Sequence, residues 1–354
     1  MGSRKRIRRD FLESDRTRKI LKAIIRDYIA LAEPVSSRRL ARRYGFDLSP
    51  ATIRNVMADL EEMGYLSQPH TSAGRIPTEK AFRYYVDSIV DVKDLTVMER
   101  EQIKRSYHPS NVNVSETLQE TCRLLSVSSN YLGLVITPRV SNMKFKHIQF
   151  VRLAPFKVLA VFVTASGIIQ NKRLDTDEDF TQDYLDKITR YLSKILSGFT
   201  LAELRDRIVQ EMKREKMAYD RLMERALKLG EMALSGTDER ELFMEGRDRM
   251  FETPEFCNIE KMRGLLKTFE EKGFLLKLLD QCMKTPGVQI IIGSEFDYRE
   301  MEDCSLITTT YGMPDSPRGT LGVIGPMRMN YSRVIPLVNY AAQLLTENFA
   351  ESSS

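Results

Sequence analysis

The stretch from Leu48 to Thr78, LSPATIRNVMADLEEMGYLSQPHTSAGRIPT, leaves this chain few alternatives. Ser49 can accept a backbone N–H at a helix start, and Pro50 suits the first helical position, where a missing donor costs nothing. Ile53, Val56, Met57 and Leu60 then recur at i, i+3, i+4 and i+7, so the spacing predicts a helix from Thr52 to Met63 with one buried stripe. Thr52, Arg54, Asn55 and Asp59 fall off that stripe. Gly64 ends the helix, Tyr65 and Leu66 begin an extended run, and Gly74-Arg75-Ile76 can return antiparallel before Pro77. A helix followed by a small basic hairpin is the outline of a winged helix.

Upstream, Asp15 can cap a helix whose apolar face is Ile20, Leu21, Ile24, Ile25, Tyr28 and Ile29. Pro34 closes the connection, Ser36 or Ser37 can cap a short second helix from Arg38 to Tyr44, and Gly45 stops it. The GFDLS turn brings the third helix across the second, as in a helix-turn-helix whose last helix enters a major groove. The expected DNA contacts are therefore Ser36, Ser37, Arg38 and Arg39 at the start of the second helix, Ser49, Thr52, Arg54 and Asn55 at the start of the third, and His70, Thr71 and Arg75 on the hairpin. An arginine fork suits guanine and an amide suits adenine, so Arg54 and Asn55 are the base readers, while Arg75 and His70 are placed on phosphate or the minor groove. A solvent-exposed Arg54 paired with Asp59 is the competing reading.

The net charge of +5 hides its distribution. Residues 1–90 hold 18 Lys+Arg against 11 Asp+Glu, a net of +7, and the remainder nets −2. Such a surplus attracts polyanions. The basic arm from Arg4 to Arg9 serves either solubility or phosphate contact. A three-helix unit can also be a protein-interaction or adaptor module without sequence-specific DNA binding; the surplus, Arg54, Asn55 and Arg75 favour DNA.

Thr78 can cap a further helix with Phe82, Tyr85, Val86 and Ile89 facing inward, tying the wing to the rest of the chain. We place the DNA-binding domain at residues 1–90 and a linker at 91–113, with a helical segment around Thr96–Lys104. A helix from Val114 to Ser128 leads into a strand at Tyr131–Thr137. Strands at Phe145–Leu153, Lys157–Thr164 and Ile168–Leu174 read as a meander, succeeded by helices at Phe180–Leu196, Leu201–Lys213 and Lys216–Leu234. Beyond it come a strand at Glu241–Glu245, one helix near Ile259–Met283, strands at Val288–Ile292, Cys304–Tyr311 and Gly319–Ile324, and a closing helix at Val334–Leu345. These suit an antiparallel sheet flanked by helices, which the strand at Tyr131–Thr137 joins. The block at 144–235 thus interrupts a discontinuous domain, 114–143 and 236–354.

Enzyme readings fail for want of residues: no GxxxxGK[ST], GxSxG or HExxH occurs, and no catalytic constellation or cofactor site is expected. GTLGVIG at Gly319–Gly325 reads as a close-packed strand rather than a phosphate loop. The acidic run Glu295, Asp297, Glu300, Glu302 and Asp303 lacks calcium-loop spacing and is expected to be a solvated face. Cys122, Cys257, Cys282 and Cys304 form no CxxC pair and read as reduced structural thiols, not as metal ligands. No apolar run reaches the roughly 18 residues of a membrane span, so a cytoplasmic protein without membrane attachment is expected.

Several separated motifs in one order, LSPATIRNVMADLEEMGYL with PHTSAGRIPT and later IGSE, DCSLITTTYG and LGVIGPMRMNYSRVI, closely resemble the bacterial heat-inducible transcription repressor HrcA family. The resemblance spans nearly the whole chain. It implies an α+β multidomain repressor with an N-terminal winged helix-turn-helix, a GAF-like antiparallel α+β domain, and an inserted dimerisation domain made of a three-stranded β-meander plus helices. It further implies a homodimer on double-stranded DNA, at an inverted-repeat operator termed CIRCE upstream of chaperone genes, with activity maintained by the GroE chaperonin.

Overall fold

The computed structural model describes residues 14–70, 73–110, 114–138, 145–164, 169–196, 199–200, 203, 221–234, 240–283, 285–312 and 318–352. The basic arm Arg4–Arg9, Thr71 and, apart from Glu203, the helix expected at Leu201–Lys213 lie outside them.

Helices α1 (Asp15–Leu31), α2 (Ser37–Tyr44) and α3 (Pro50–Glu62) come first, then the hairpin β1 (Leu66–Ser67) and β2 (Ile76–Pro77). The apolar stripes read from the sequence are the buried ones: Ile20, Leu21, Ile24 and Ile25 of α1 pack with Leu40 of α2 and Ile53, Met57 and Leu60 of α3, all essentially inaccessible. Each such side chain contributes about 1.5–3 kcal/mol of burial. Helix α4 (Glu79–Tyr84), capped by Thr78, widens into a π-helical turn at Tyr85–Ile89. Helix α5 (Val97–Ser106) starts from a Thr96–Glu99 capping box and buries none of its residues.

Helix α6 (Val114–Ser129) leads to β3 (Leu132–Ile136), and the later strands are β7 (Leu242–Glu245), β8 (Gln289–Ile292), β9 (Cys304–Tyr311) and β10 (Gly319–Pro326). They form a five-stranded antiparallel sheet in the order β7-β3-β10-β9-β8, with Leu134 opposite Gly322 and Gly322 opposite Thr308. Alternation along the strands splits the side chains between two cores. Leu132, Leu134, Ile136, Leu306 and Ile324 join Leu265, Phe269, Leu275 and Leu279 of helices α10 (Ile259–Glu270) and α11 (Lys272–Met283). Val135, Ile307, Leu321 and Val323 face Leu118, Leu125, Val338 and Leu345 of α6 and the closing helix α12 (Tyr331–Ser352). With both faces covered, the central strands β3, β10 and β9 are buried at nearly every position, Ser305, Thr308 and Thr320 included. Between β7 and α10 lies short α9 (Arg247–Phe251).

Two expectations need correction. The single helix near 259–283 is two, because Glu271 leaves helical geometry (φ −76°, ψ 76°) and Gly273 is a poor helix former. The closing helix begins earlier and ends later than Val334–Leu345, running from Tyr331 through Pro336, near its start, to Ser352.

Strands β4 (Phe145–Ala154), β5 (Lys157–Thr164) and β6 (Ile169–Asp175) form a separate antiparallel meander, backed by α7 (Gln182–Leu196) and α8 (Arg221–Leu234). Its core, including Ile148, Phe150, Ala160, Phe162, Leu185, Ile188 and Leu227, shares no member with the other two. The opposite face is only partly covered: Val151, Leu159, Val161 and Val163 lie side by side there, half-buried.

Candidate nucleic-acid interface

Packing decides which polar groups of the three-helix unit remain available. Ser36 accepts the Arg39 N–H at 3.3 Å, and Ser49 accepts the Thr52 N–H at 3.1 Å with its hydroxyl 3.0 Å from that of Thr52. Ser36, Ser49 and Thr52 thus build the helix starts, satisfying donors that the first turn leaves open. Ser37 is buried. On α3 the buried Ile53, Val56, Met57 and Leu60 leave Arg54 and Asn55 adjacent and exposed, and Arg54 has no ion pair with Asp59 among the described residues.

Asp27 was missed by the sequence reading. Its carboxylate is fully buried between α1 and α2, 2.9 Å from Arg39 Nε and 2.8 Å from Arg43 Nη1, and it accepts the Tyr44 hydroxyl at 3.2 Å. Burial, and then the charge of Asp27, raise the Tyr44 pKa above its ordinary value, so this hydroxyl stays a donor. A buried carboxylate is costly unless paired, so this cluster clamps α2 to α1. The signal was present: Asp27 falls seven residues after Ile20 and three after Ile24, on the apolar face of the helix. Arg39, expected on DNA, is instead engaged by Asp27 and by Glu33 at 3.3 Å. Arg38 and, one turn on, Arg42 are exposed and carry no ion pair among the described residues; Arg42 was not anticipated.

The hairpin is fixed from three sides. Leu66 faces Pro77 and Ser67 faces Ile76, and Val35, just before α2, bridges Arg75 through two N–H···O bonds of 2.9 Å. Gly74 permits that approach, since a Cβ there would sit 2.5 Å from the Val35 carbonyl oxygen. Lys80 lies 4.3 Å from the Tyr65 ring centroid and donates to the Met63 carbonyl at 2.7 Å. Arg75 is not held out toward a phosphate: its Nε donates to Glu61 at 2.6 Å, and its side chain is only 18% exposed. His70 is exposed at the tip. The exposed polar surface of this unit thus includes Arg38, Arg42, Arg54, Asn55 and His70, the first four displayed by helices whose starts are capped by Ser36 and Ser49.

Among the described residues no group of three or more His, Cys, Asp and Glu side chains could hold a metal ion, and no helix is long and apolar enough to cross a membrane. Residues 115–335 match the family model of the HrcA protein C terminal domain. The heat-inducible transcription repressor HrcA of Geobacter sulfurreducens is 47% identical across 94% of this chain and 97% of its own length; that of Syntrophobacter fumaroxidans is 42% identical across 96% and 98%. A crystal structure of a hypothetical protein superimposes with a TM-score of 0.65 at 25% identity, covering 96% of this chain and 99% of that one. Both the head and the α+β body lie within these alignments, and the chain belongs to the HrcA family of heat-inducible transcription repressors, which are not enzymes.

Proposed function

We propose that this repressor of heat-shock transcription binds an inverted-repeat, CIRCE-type operator of chaperone genes as a homodimer, with residues 1–90 as winged-helix reading heads. The observation that carries the reading is the exposed Arg54–Asn55 pair on α3, in which Arg54 has no ion pair among the described residues while Arg39 and Arg75 are committed to carboxylates. In a major groove Arg54 would read guanine and Asn55 adenine, with Arg38, Arg42 and His70 on the backbone. The body at 114–143 and 236–354 is the GAF-like domain, and 144–235 the inserted dimerisation domain. Its separate core and half-covered apolar sheet face support that assignment. A DNA-binding role supports a location in the cytoplasm, where the DNA is.

We also propose that the GroE chaperonin maintains the active form, a reading supported by the kinship with heat-inducible repressors and by 17 methionines, which pack adaptably and define a core loosely. Heat would then relieve repression by depleting the folded state, without a dedicated sensor. Operator binding recovered after dilution from denaturant should rise when chaperonin and ATP are present, and equal recovery would sink this part.

The test of the site is a titration of Arg54→Ala on the operator and on scrambled DNA at matched salt, with folding checked by circular dichroism. Loss of about 1–3 kcal/mol on the operator with little change on scrambled DNA is expected. Equal loss on both would mean that α3 does not read sequence through Arg54. Wild-type protein indifferent to sequence would instead favour an adaptor module.

A further inference from the structure

Two of the family-like motifs, IGSE at Ile292–Glu295 and MRMNY at Met327–Tyr331, have no part in the DNA surface. Both meet α4, the last helix of the reading head. Tyr331 is fully buried, its hydroxyl 2.7 Å from Ser305 Oγ and donating to the Met327 carbonyl at 2.7 Å, and its ring centroid lies 6.4 Å from that of Phe82 and 6.5 Å from that of Tyr85. Arg83 donates through Nη1 to the Ile290 carbonyl at 2.9 Å and reaches Glu295 at 3.3 Å, while Asp87 braces its Nη2 at 2.6 Å. Ser294 Oγ donates to Glu79 at 2.7 Å. Beneath that carboxylate lies Gly293 at φ +57°, where a Cβ would come within 2.6 Å of Glu79 Cδ. Glu295 is therefore no solvated bystander, contrary to the reading of the acidic run.

These contacts form a built junction. Phe82 and Tyr85 of the head belong to the same continuous core as Tyr331, Val334 and Val338 of the body. The π-helical turn, closed by the Val90 N–H to the Tyr85 carbonyl at 2.7 Å, keeps Tyr85 and Ile89 buried where the head ends. Only seven residues separate Ile89 from Val97. Extended, they would span about 23 Å at roughly 3.3 Å per residue. A head on that tether alone could meet half-sites over several base pairs of spacing, since one turn of duplex is only about 34–36 Å. A docked head cannot.

We infer that this junction, through Arg83, Glu79 and Tyr331, sets which half-site spacing the dimer accepts, and so determines operator specificity without touching DNA. The inference rests on the proposed dimeric DNA binding. Rigid presentation places both heads at one separation and one helical phase, and binding two correctly spaced half-sites gains an effective concentration that mis-spaced sites forfeit. A released head would spread that gain over many spacings.

The test uses the full-length dimer on a chaperone-promoter inverted repeat, on versions with the spacer changed by one, two and five base pairs, and on a single half-site. The proteins are wild type, the double variant Glu79→Ala/Arg83→Ala, and Gly293→Ala, which substitutes no residue of the head and displaces the Glu79 side chain. Wild type is expected to prefer one spacer by at least tenfold. Both variants should lose at least fivefold of that preference while binding the single half-site within twofold of wild type. Retention of the wild-type preference by the variants, or a matching loss on the single half-site, would overturn the inference. Wild-type indifference to the half-site sequence would overturn the DNA reading first, and this inference with it.

Discussion

Arg75 on the hairpin donates its Nε–H to the carboxylate of Glu61 across 2.6 Å, tying the hairpin to the last turn of α3 through a charged hydrogen bond largely shielded from solvent. Together with the Val35–Arg75 bridge it fixes the angle between hairpin and helix.

Arg75→Ala should therefore act on stability before it acts on DNA. A shielded charge-assisted bond of this kind contributes about 1–2 kcal/mol. The variant should melt earlier, and Glu61→Ala should do the same. Once the folded fraction is accounted for, the slope of log affinity against log salt should match wild type, whereas loss of a direct phosphate contact would reduce it by about one unit. A reduced slope with unchanged melting would return Arg75 to the phosphate role that its sequence position suggested.

Asp27→Ala should cost more, about 2–4 kcal/mol, because it takes the carboxylate from Arg43, leaves Arg39 with Glu33 alone, and removes the acceptor of the Tyr44 hydroxyl. Removing Arg39 and Asp27 together should cost less than the sum of the two single changes, since each single change already removes the ion pair between them. Urea denaturation monitored by circular dichroism gives all three values. Strict additivity would show that the two groups do not interact.

Much of this arrangement is legible in the sequence because each apolar stripe has one period and one place to go. Ile53, Val56, Met57 and Leu60 mark the buried side of α3 by spacing alone, and the strands at 132–136, 304–311 and 319–326 carry Leu, Val and Ile toward both faces because helices cover both faces of their sheet. The partners of charged residues are not legible in this way. Whether an arginine reaches out or folds back depends on a carboxylate 12 to 14 positions away, as with Arg39 on Asp27 and Arg75 on Glu61, and sequence spacing does not set such distances. The role of IGSE was hidden for the same reason: its partners, Glu79 and Arg83, lie more than 200 residues upstream.

The four cysteines should divide three to one. Burial pushes the thiols of Cys122 and Cys304 well above their ordinary value and raises that of Cys282, whereas Cys257 is exposed. A disulfide reagent at pH 8 should release one thiol equivalent quickly and the other three only on unfolding. Stability is linked to the same protons. Below about pH 8.5 both folded and unfolded chains keep them; above it the unfolded chain loses them and the folded chain does not, so stability falls as pH rises. Rapid release of two or more equivalents from native protein would contradict the buried placement.

The meander offers the clearest handle on assembly. Val151, Leu159, Val161 and Val163 form an apolar strip flanked by Gln149 and His147 on one strand and Asn171 and Arg173 on the other, with Leu153 and Phe156 about half exposed near its end. An apolar centre inside a polar rim is the pattern of a surface that covers a second copy of itself. Val161 sits on the middle strand, with its side chain directed away from the meander's own core, so Val161→Glu should leave that core intact while placing two carboxylates at the centre of a symmetric contact. Sedimentation should then show monomer where wild type is dimer, with an unchanged circular dichroism spectrum and melting that no longer depends on protein concentration. Operator affinity should fall steeply while binding to a single half-site persists. If Val161→Glu remains a dimer at micromolar concentration and holds the operator as wild type does, the two subunits meet elsewhere, and 144–235 is not the dimerisation domain.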